Sequence, residues 1–402
     1  MKYSVFHTQA GKARLKNSFA IFQVISQYDA GILRSIADRW RQRGCARSIF
    51  ENGGGLMSYP ISRVFPGDRR TLAQIDALLE QEGICRDAHL DYICAMYDED
   101  DQVIAVGGCF GNTLRCLAVS GAHQGEGLLS QIAAHLIGVQ MERGHRRLFL
   151  YTKIAAAPFF RALGFHEIVR VEDTLVFMEN RRSGFDAYLQ KLSESRREGR
   201  AAALVMNANP FTLGHQYLVE KAAAAWDTLH LFLVSEDASL IPFDVRMALA
   251  RAGTAHLPNV VIHETGPYLI SSATFPSYFL REEDAVIRGH ALLDLAVFTR
   301  IARALGITCR YVGEEPASRV TGLYNQIMAQ KLPEAGIECR VVPRLEAEGC
   351  PISASAVRCA LRDGDWTALR KLVPASTCAY FAGPEAAPVL ERLRQAGDVA
   401  HY

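Results

Sequence analysis

The 402-residue sequence has no CxxC pair and no regular cysteine spacing, although it holds ten cysteines. Their positions, 45, 85, 94, 109, 116, 309, 339, 350, 359 and 378, match neither a zinc ribbon nor a secreted disulfide framework. Several sit inside apolar runs, so inert thiols in a reducing cytoplasm are the simplest reading. The sequence also lacks an apolar run long enough to cross a bilayer. "FAIFQVI" is too short and no small-residue cleavage site follows it, so neither a membrane span nor a signal peptide is expected. An excess of one charge is missing as well: 44 Lys and Arg face 43 Asp and Glu, for a net of +1. That balance speaks against a polyanion-binding protein and leaves no nucleic acid and no membrane among the expected partners.

What is present is enough chain for two domains. Residues 1–57 form a basic leader, with nine Lys and Arg against three Asp and Glu. Its residues 30–45 read as a helix, and "ENGGGLMS" breaks the pattern before Met57. Codons for Glu-Asn-Gly-Gly-Gly can resemble a ribosome-binding site, so a translation start at Met57 is one expectation. Over 58–180 the pattern is α+β. "RTLAQIDALLEQEGI" is an amphipathic helix, and "HLDYICAMYDEDDQVIAVGGCFGNTLRCLAV" is three strands joined by an acidic and a Gly-Asn turn. A helix, a strand, a short helix and the strand "DTLVFMEN" follow. A polar linker helix is expected over 181–200. From 201 to 402 strands and helices alternate, which predicts α/β architecture with a doubly wound parallel sheet and ligands beyond the carboxyl ends of its strands.

The apolar strand Ala201–Met206 runs into "NANPFTLGHQ". A strand–loop–helix junction aims helix amides and the positive end of the helix dipole above the sheet, which suits phosphate. Asn207 and Asn209 supply amides and Pro210 stiffens the turn. Gly214 admits close backbone approach, and His215 can donate to a phosphate oxygen. A plain βα loop whose histidine caps a helix is the alternative. At 351–366, "PISASAVRCALRDGDW" puts Ser353 and Ser355 at a helix start with Arg358 on the face of Ser355. Hydroxyls, first-turn amides and a guanidinium would hold β- and γ-phosphates; an ordinary serine N-cap is the alternative.

Together the two stretches resemble the nucleotidyltransferase superfamily. Thr212-Leu-Gly-His215 stands at its Thr/His-x-Gly-His motif, with threonine first as in the phosphopantetheine adenylyltransferase branch. Ile352-Ser-Ala-Ser-Ala-Val-Arg358 stands at its late serine motif, with Ala354 in place of the middle serine. The resemblance implies a Rossmann-like domain that attacks the α-phosphate of ATP, with catalytic roles for His215 and Thr212. ATP binding is implied for Asn207, Asn209, Phe211, Gly214, Arg246, Ser353, Ser355 and Arg358. Mg²⁺ is expected on the phosphates, its protein ligands unidentified. In the first domain "AHQGEGLLSQIAAHLI" resembles the acyl-CoA motif of the acetyltransferase (GNAT) fold through Gln124, Gly125 and Gly127, with Ala122 where Gln or Arg is usual. "APFFRALGFH" resembles that fold's later Phe-Gly-Phe segment through Phe160, Gly164 and Phe165.

The two modules in this order resemble the citrate lyase ligase family over about residues 58 to 385, on "VMNANPFTLGH", "HLFLVSEDAS", "ISSATFPSYF", "YVGEEPASRVTGLYNQ", "PISASAVR" and "LVPA". The resemblance implies ATP-dependent acetylation of the CoA-like prosthetic thiol on the acyl carrier subunit of citrate lyase. Acetyl-adenylate would be the intermediate, with pyrophosphate and then AMP released, and the first domain holding the arm. An adenylyltransferase for a small phosphorylated acceptor, an acetyl-CoA-dependent acetyltransferase and a CoA-sensing regulator stand as alternatives. No general base is evident within 58–180. Acetate need not be the preferred acid, since a pocket separates one methylene by only about 1–3 kcal/mol.

Overall fold

A computed structural model describes residues 59–171, 175–235, 239–269, 283–314, 319–347 and 349–396. The leader 1–57, its helix at 30–45, the start at Met57 and the segment "ISSATFPSYF" lie outside the described residues. The chain forms two units: one takes the described residues up to Glu167 and Phe177–Arg182, the other the described residues of Ile168–Val176 and those from Ser183 on.

In the first part of the chain the elements are β1 (Ile61–Val64), α1 (Arg69–Gln81), β2 (Tyr92–Tyr97), β3 (Val103–Phe110), β4 (Thr113–Val119), α2 (Leu128–Glu142), β5 (Phe149–Thr152), α3 (Ala157–Ala162), β6 (His166–Val171) and β7 (Leu175–Glu179). The sheet runs β1-β2-β3-β4-β5-β7-β6. Asp68 starts α1 by accepting the Thr71 amide at 3.1 Å. Buried Ile75, Leu78 and Leu79 of α1 join Val106 and Ala118 in one core. Ile132 and Leu136 of α2 reach Gly107 on the opposite face. Strand β3 is therefore covered on both sides, which is why it reads as an unbroken apolar run.

Strand β4 departs from β3 by a bulge. Its register slips between Val106 and Gly108, and Cys116 adopts a φ of 54°. It pairs with β5 in parallel only at Thr113 and Leu114. Beyond Leu114 the two strands separate toward their carboxyl ends.

The second unit continues with α4 (Gly184–Ser193), β8 (Ala201–Met206), α5 (Leu213–Ala223), β9 (Thr228–Leu233), α6 (Phe243–Thr254), β10 (Val260–Glu264), α7 (Glu283–Leu305), β11 (Ile307–Gly313), α8 (Arg319–Glu334) and β12 (Glu338–Val342). A two-residue-per-strand hairpin, β13 (Glu346–Ala347) and β14 (Cys350–Pro351), leads to α9 (Ala354–Asp363), α10 (Trp366–Leu372), α11 (Ala375–Ala382) and α12 (Ala387–Gln395). The sheet order β10-β9-β8-β11-β12 is parallel throughout, as the alternation predicts. Chain order reverses between β8 and β11, the place where open α/β sheets bind ligands.

The sequence reading has no strand at β1 or β6, and the linker helix stops at Ser193 rather than near 200. Helix α4 groups with the second unit: Phe185 and Tyr188 stack around Tyr268, and the Tyr188 hydroxyl donates to the Glu264 carbonyl at 3.0 Å.

Candidate functional site

Strand β8 ends at Met206, and the chain turns through residues 207–212 into α5. Buried Thr212 is the N-cap of that helix. Its Oγ1 accepts the His215 amide at 3.2 Å, and its own amide donates to His215 Nδ1 at 3.1 Å. The Oγ1 also lies 2.9 Å from Nδ1. Because Nδ1 receives a backbone N–H, the neutral ring carries its proton on Nε2 and offers it as a donor. Burial, with the Arg344 charge as the second cause, pushes the pKa of His215 down to about 4. The imidazole is thus neutral at physiological pH. Phe211, fully buried, stacks on it at 5.7 Å and 25°, so it supports the imidazole from the core side. Gly253 permits that packing: a Cβ there would stand 2.5 Å from Phe211 Cε1.

Two arginines expected at the phosphates serve the loop backbone. Arg246 is fully buried; its Nη1 donates to the Asn207 carbonyl, Asn207 Oδ1 and the Val234 carbonyl, each at 2.8 Å. Its Nε donates to the Ile241 carbonyl at 3.1 Å. This clamp joins the carboxyl ends of β8 and β9 to the start of α6, and the Asn207 side chain is occupied by it and by Ser239. Arg358, also buried, donates to the Asn209 carbonyl at 2.7 Å and to Ser355 Oγ at 3.2 Å. Ser353 caps α9 through the Ala356 amide, which is the plain reading of that serine. Asn209 is buried with Oδ1 accepting the Ile241 amide at 3.3 Å, while its Nδ2 has no partner among the described residues. Gly214 lies under the approach to α9: a Cβ on it would be 3.4 Å from the Ile352 carbonyl.

Sequence reasoning passed over Arg344, which follows β12 in the run "ECRVVPR". Its Nε donates to the Glu314 carbonyl at 3.0 Å, just past the end of β11. No periodicity marks it, since it lies in a connection after a strand that is mostly exposed.

In the first unit the separation of β4 from β5 opens a cavity of about 430 Å³, within the usual range of small-molecule sites. Gln124, Gly125 and Gly127 line it together with Val119, Tyr151 and Phe160. Gly125 and Gly127 hold φ of 91° and 83°, conformations that turn the backbone into a cradle ahead of α2 and that a side chain would strain. Ser130, in the first turn of α2, lines the cavity with a buried Oγ that has no partner among the described residues. The cradle thus adds a serine hydroxyl that the glycine pattern alone does not reveal. Phe165 is buried in the core and does not line the cavity.

Among the described residues no three His, Cys, Asp or Glu side chains converge to hold a metal ion, no helix is long and apolar enough to cross a membrane, and the nine cysteines are free thiols.

The model of the citrate lyase ligase C-terminal domain matches residues 201–381, and that of the acetyltransferase (GNAT) family matches residues 61–165. Citrate (pro-3S)-lyase ligase of Escherichia coli K12 is 38% identical over 341 residues, 83% of this chain and 95% of its own. The Klebsiella pneumoniae protein of the same name is 40% identical over 321 residues, 78% of this chain and 93% of its own. Among solved structures, pantoate-beta-alanine ligase from Francisella tularensis, complexed with beta-gamma ATP and beta-alanine, matches 45% of this chain and 74% of its own at 16% identity and a TM-score of 0.31.

Proposed function

The chain belongs to the citrate lyase ligase family, and from that premise we propose that it acetylates the prosthetic thiol of the citrate lyase acyl carrier subunit, using ATP and acetate. The observation that carries the reading is the neutral, Nε2-protonated His215, held by Thr212 at the first turn of α5. A neutral imidazole at a helix N-terminus is a fixed donor for a phosphate oxygen and needs no proton transfer of its own. An acetate oxygen attacks the α-phosphorus of ATP, and the bond from that phosphorus to the β-phosphate bridging oxygen breaks. Pyrophosphate leaves with the electron pair. The thiolate of the arm then attacks the acetyl carbonyl, the bond to AMP breaks, and the thiol proton goes to solvent.

The protein supplies position and charge stabilisation. His215 donates to the α-phosphate as charge builds on it, the unpartnered Asn209 Nδ2 is a second donor for the nucleotide, and the Arg246 and Arg358 clamps hold the loop in shape. Mg²⁺, when bound on the phosphates, would offset charge on the leaving pyrophosphate. The unpartnered Ser130 Oγ and the glycine cradle suit the phosphates of a CoA-like arm, so the first unit's cavity holds the arm while the second unit activates acetate. The free cysteines accord with work in the cytoplasm.

The test is acetate-dependent exchange of labelled pyrophosphate into ATP, by the wild type and by His215→Ala. Exchange that requires acetate and drops about 10²- to 10³-fold in the variant is expected. Exchange independent of acetate, or untouched by the substitution, would refute the proposal.

A further inference from the structure

Thr377 stands at a fully buried position of α11, where an apolar side chain would fill the core at no polar cost. Threonines inside helices often bond back along their own helix. This one reaches out of it: Oγ1 donates to the Phe211 carbonyl at 3.2 Å, 166 residues away in the chain. Phe211 is held by its ring as well, which stacks on His215 and occupies the space above Gly253 of α6.

The carbonyl that Thr377 holds and the amide of Thr212 belong to one peptide unit. That unit is planar and trans, so its oxygen and its N–H point in opposite directions. On the far side the N–H donates to His215 Nδ1 at 3.1 Å. One rigid plane therefore carries the Thr377 hydroxyl on its oxygen and the His215 imidazole on its nitrogen. A hydrogen bond received at the oxygen fixes the tilt of the plane and strengthens the bond given at the nitrogen, by about 10–30%. Nδ1 has a single lone pair, and the Thr212 Oγ1 at 2.9 Å is its other neighbour. That hydroxyl accepts the His215 amide and is free to turn its own proton; the peptide N–H cannot turn while its plane is held. We infer that Thr377 is a positioning residue for the reaction. It fixes the 211–212 peptide, whose N–H keeps Nδ1 unprotonated and so presents the Nε2 proton of His215 to phosphate. The inference rests on the adenylation proposed at His215. It gives α11, which lies outside both phosphate motifs, a part in that step.

The experiment compares wild type, Thr377→Val, Thr377→Ser and Thr377→Cys in pyrophosphate exchange. It also follows the His215 ring nitrogens by NMR of protein labelled at histidine nitrogen, assigned by difference from His215→Ala. Valine keeps the shape and removes the donor. Because His215 bonds most strongly as charge builds on phosphate, the loss falls on kcat, about 3- to 10-fold, while the KM values for ATP and acetate hold. The Nδ1 resonance of Thr377→Val should move toward that of an imine nitrogen without a hydrogen bond. Thr377→Ser should restore rate and resonance, and Thr377→Cys, a weaker donor, should lie between. In a Thr212→Val background the peptide is the remaining donor to Nδ1, so Thr377→Val should cost more there than in the wild type. Unchanged His215 resonances in Thr377→Val would overturn the inference whatever the rate does, since a mere strut between α11 and the loop would lower the thermal midpoint and leave the imidazole alone. A serine variant as slow as the valine one would overturn it too. Should the wild type exchange no pyrophosphate, the adenylation reading falls, and the NMR still decides whether Thr377 governs the His215 tautomer. Should Thr377→Val not fold, Thr377→Cys carries both comparisons.

Discussion

Replacing Thr212 by valine separates two jobs that its hydroxyl performs. The side chain is 1% exposed, and valine has nearly its shape, so no cavity opens and the loss is one of hydrogen bonds. The N-cap bond to the His215 amide goes, which costs about 1 kcal/mol and up to about 2 at buried caps. The contact of Oγ1 with Nδ1 at 2.9 Å adds about 1 kcal/mol. The sum is about 2 kcal/mol, or a midpoint lower by about 4–8 °C for a unit of this size. The backbone amide of residue 212 still donates to Nδ1, so the Nε2-protonated tautomer survives. Exchange should therefore fall no more than about tenfold, well short of the loss expected on removing an oxyanion donor. Thr212→Ser should restore both stability and rate. Differential scanning calorimetry and pyrophosphate exchange on the same preparations decide it. A Thr212→Val protein as stable as wild type, or one as inactive as His215→Ala, would refute the hydrogen-bond geometry assigned here.

Three further outcomes are expected. Burial, the first cause in each case, lowers the pKa of His215, His230 and His263 to about 4 from an ordinary 6.5. The unfolded chain then binds more protons than the folded one between those values, so this stability is fully present above pH 6.5 and is lost as pH falls toward 4, on the order of 3 kcal/mol for one fully buried imidazole. Urea midpoints at pH 7 and pH 5 report it, and equal midpoints would contradict it. Gly127→Glu places a side chain at a φ of 83° and a negative charge in the amide cradle. The KM for the acyl carrier should rise about tenfold or more while carrier-free exchange is unchanged; an unaltered carrier KM would end the arm-binding role. Arg246→Met leaves the carbonyls of Asn207, Val234 and Ile241 without their buried donor. A loss of at least about 3 kcal/mol in chemical denaturation is expected, whereas a mere phosphate contact would leave stability intact.

The opening of the site was legible because it breaks a pattern: an apolar run buried on both faces ends abruptly in amides, a proline and Gly-His, and such a strand tip in a parallel sheet has a known place. The start of α9 was legible from its serines, with Ser353 standing at the N-cap. Of the strands missed, β1 and β6 are edge strands with exposed residues, β13 and β14 have two residues each, and a short half-polar strand has no period strong enough to read. The roles of Arg246 and Arg358 were hidden differently. An arginine in a nucleotide-binding motif answers equally well to phosphate or to carbonyl oxygens, and only burial with specific acceptors separates the two. Those acceptors, at Asn207, Asn209 and Val234, lie 39, 149 and 12 residues away and meet the guanidinium only after the sheet has formed. Both arginines hold carbonyls of residues 207–209 and so shape that loop. The helix end that carries His215 is shaped by contacts just as remote in sequence, the Ile352 carbonyl over Gly214 among them.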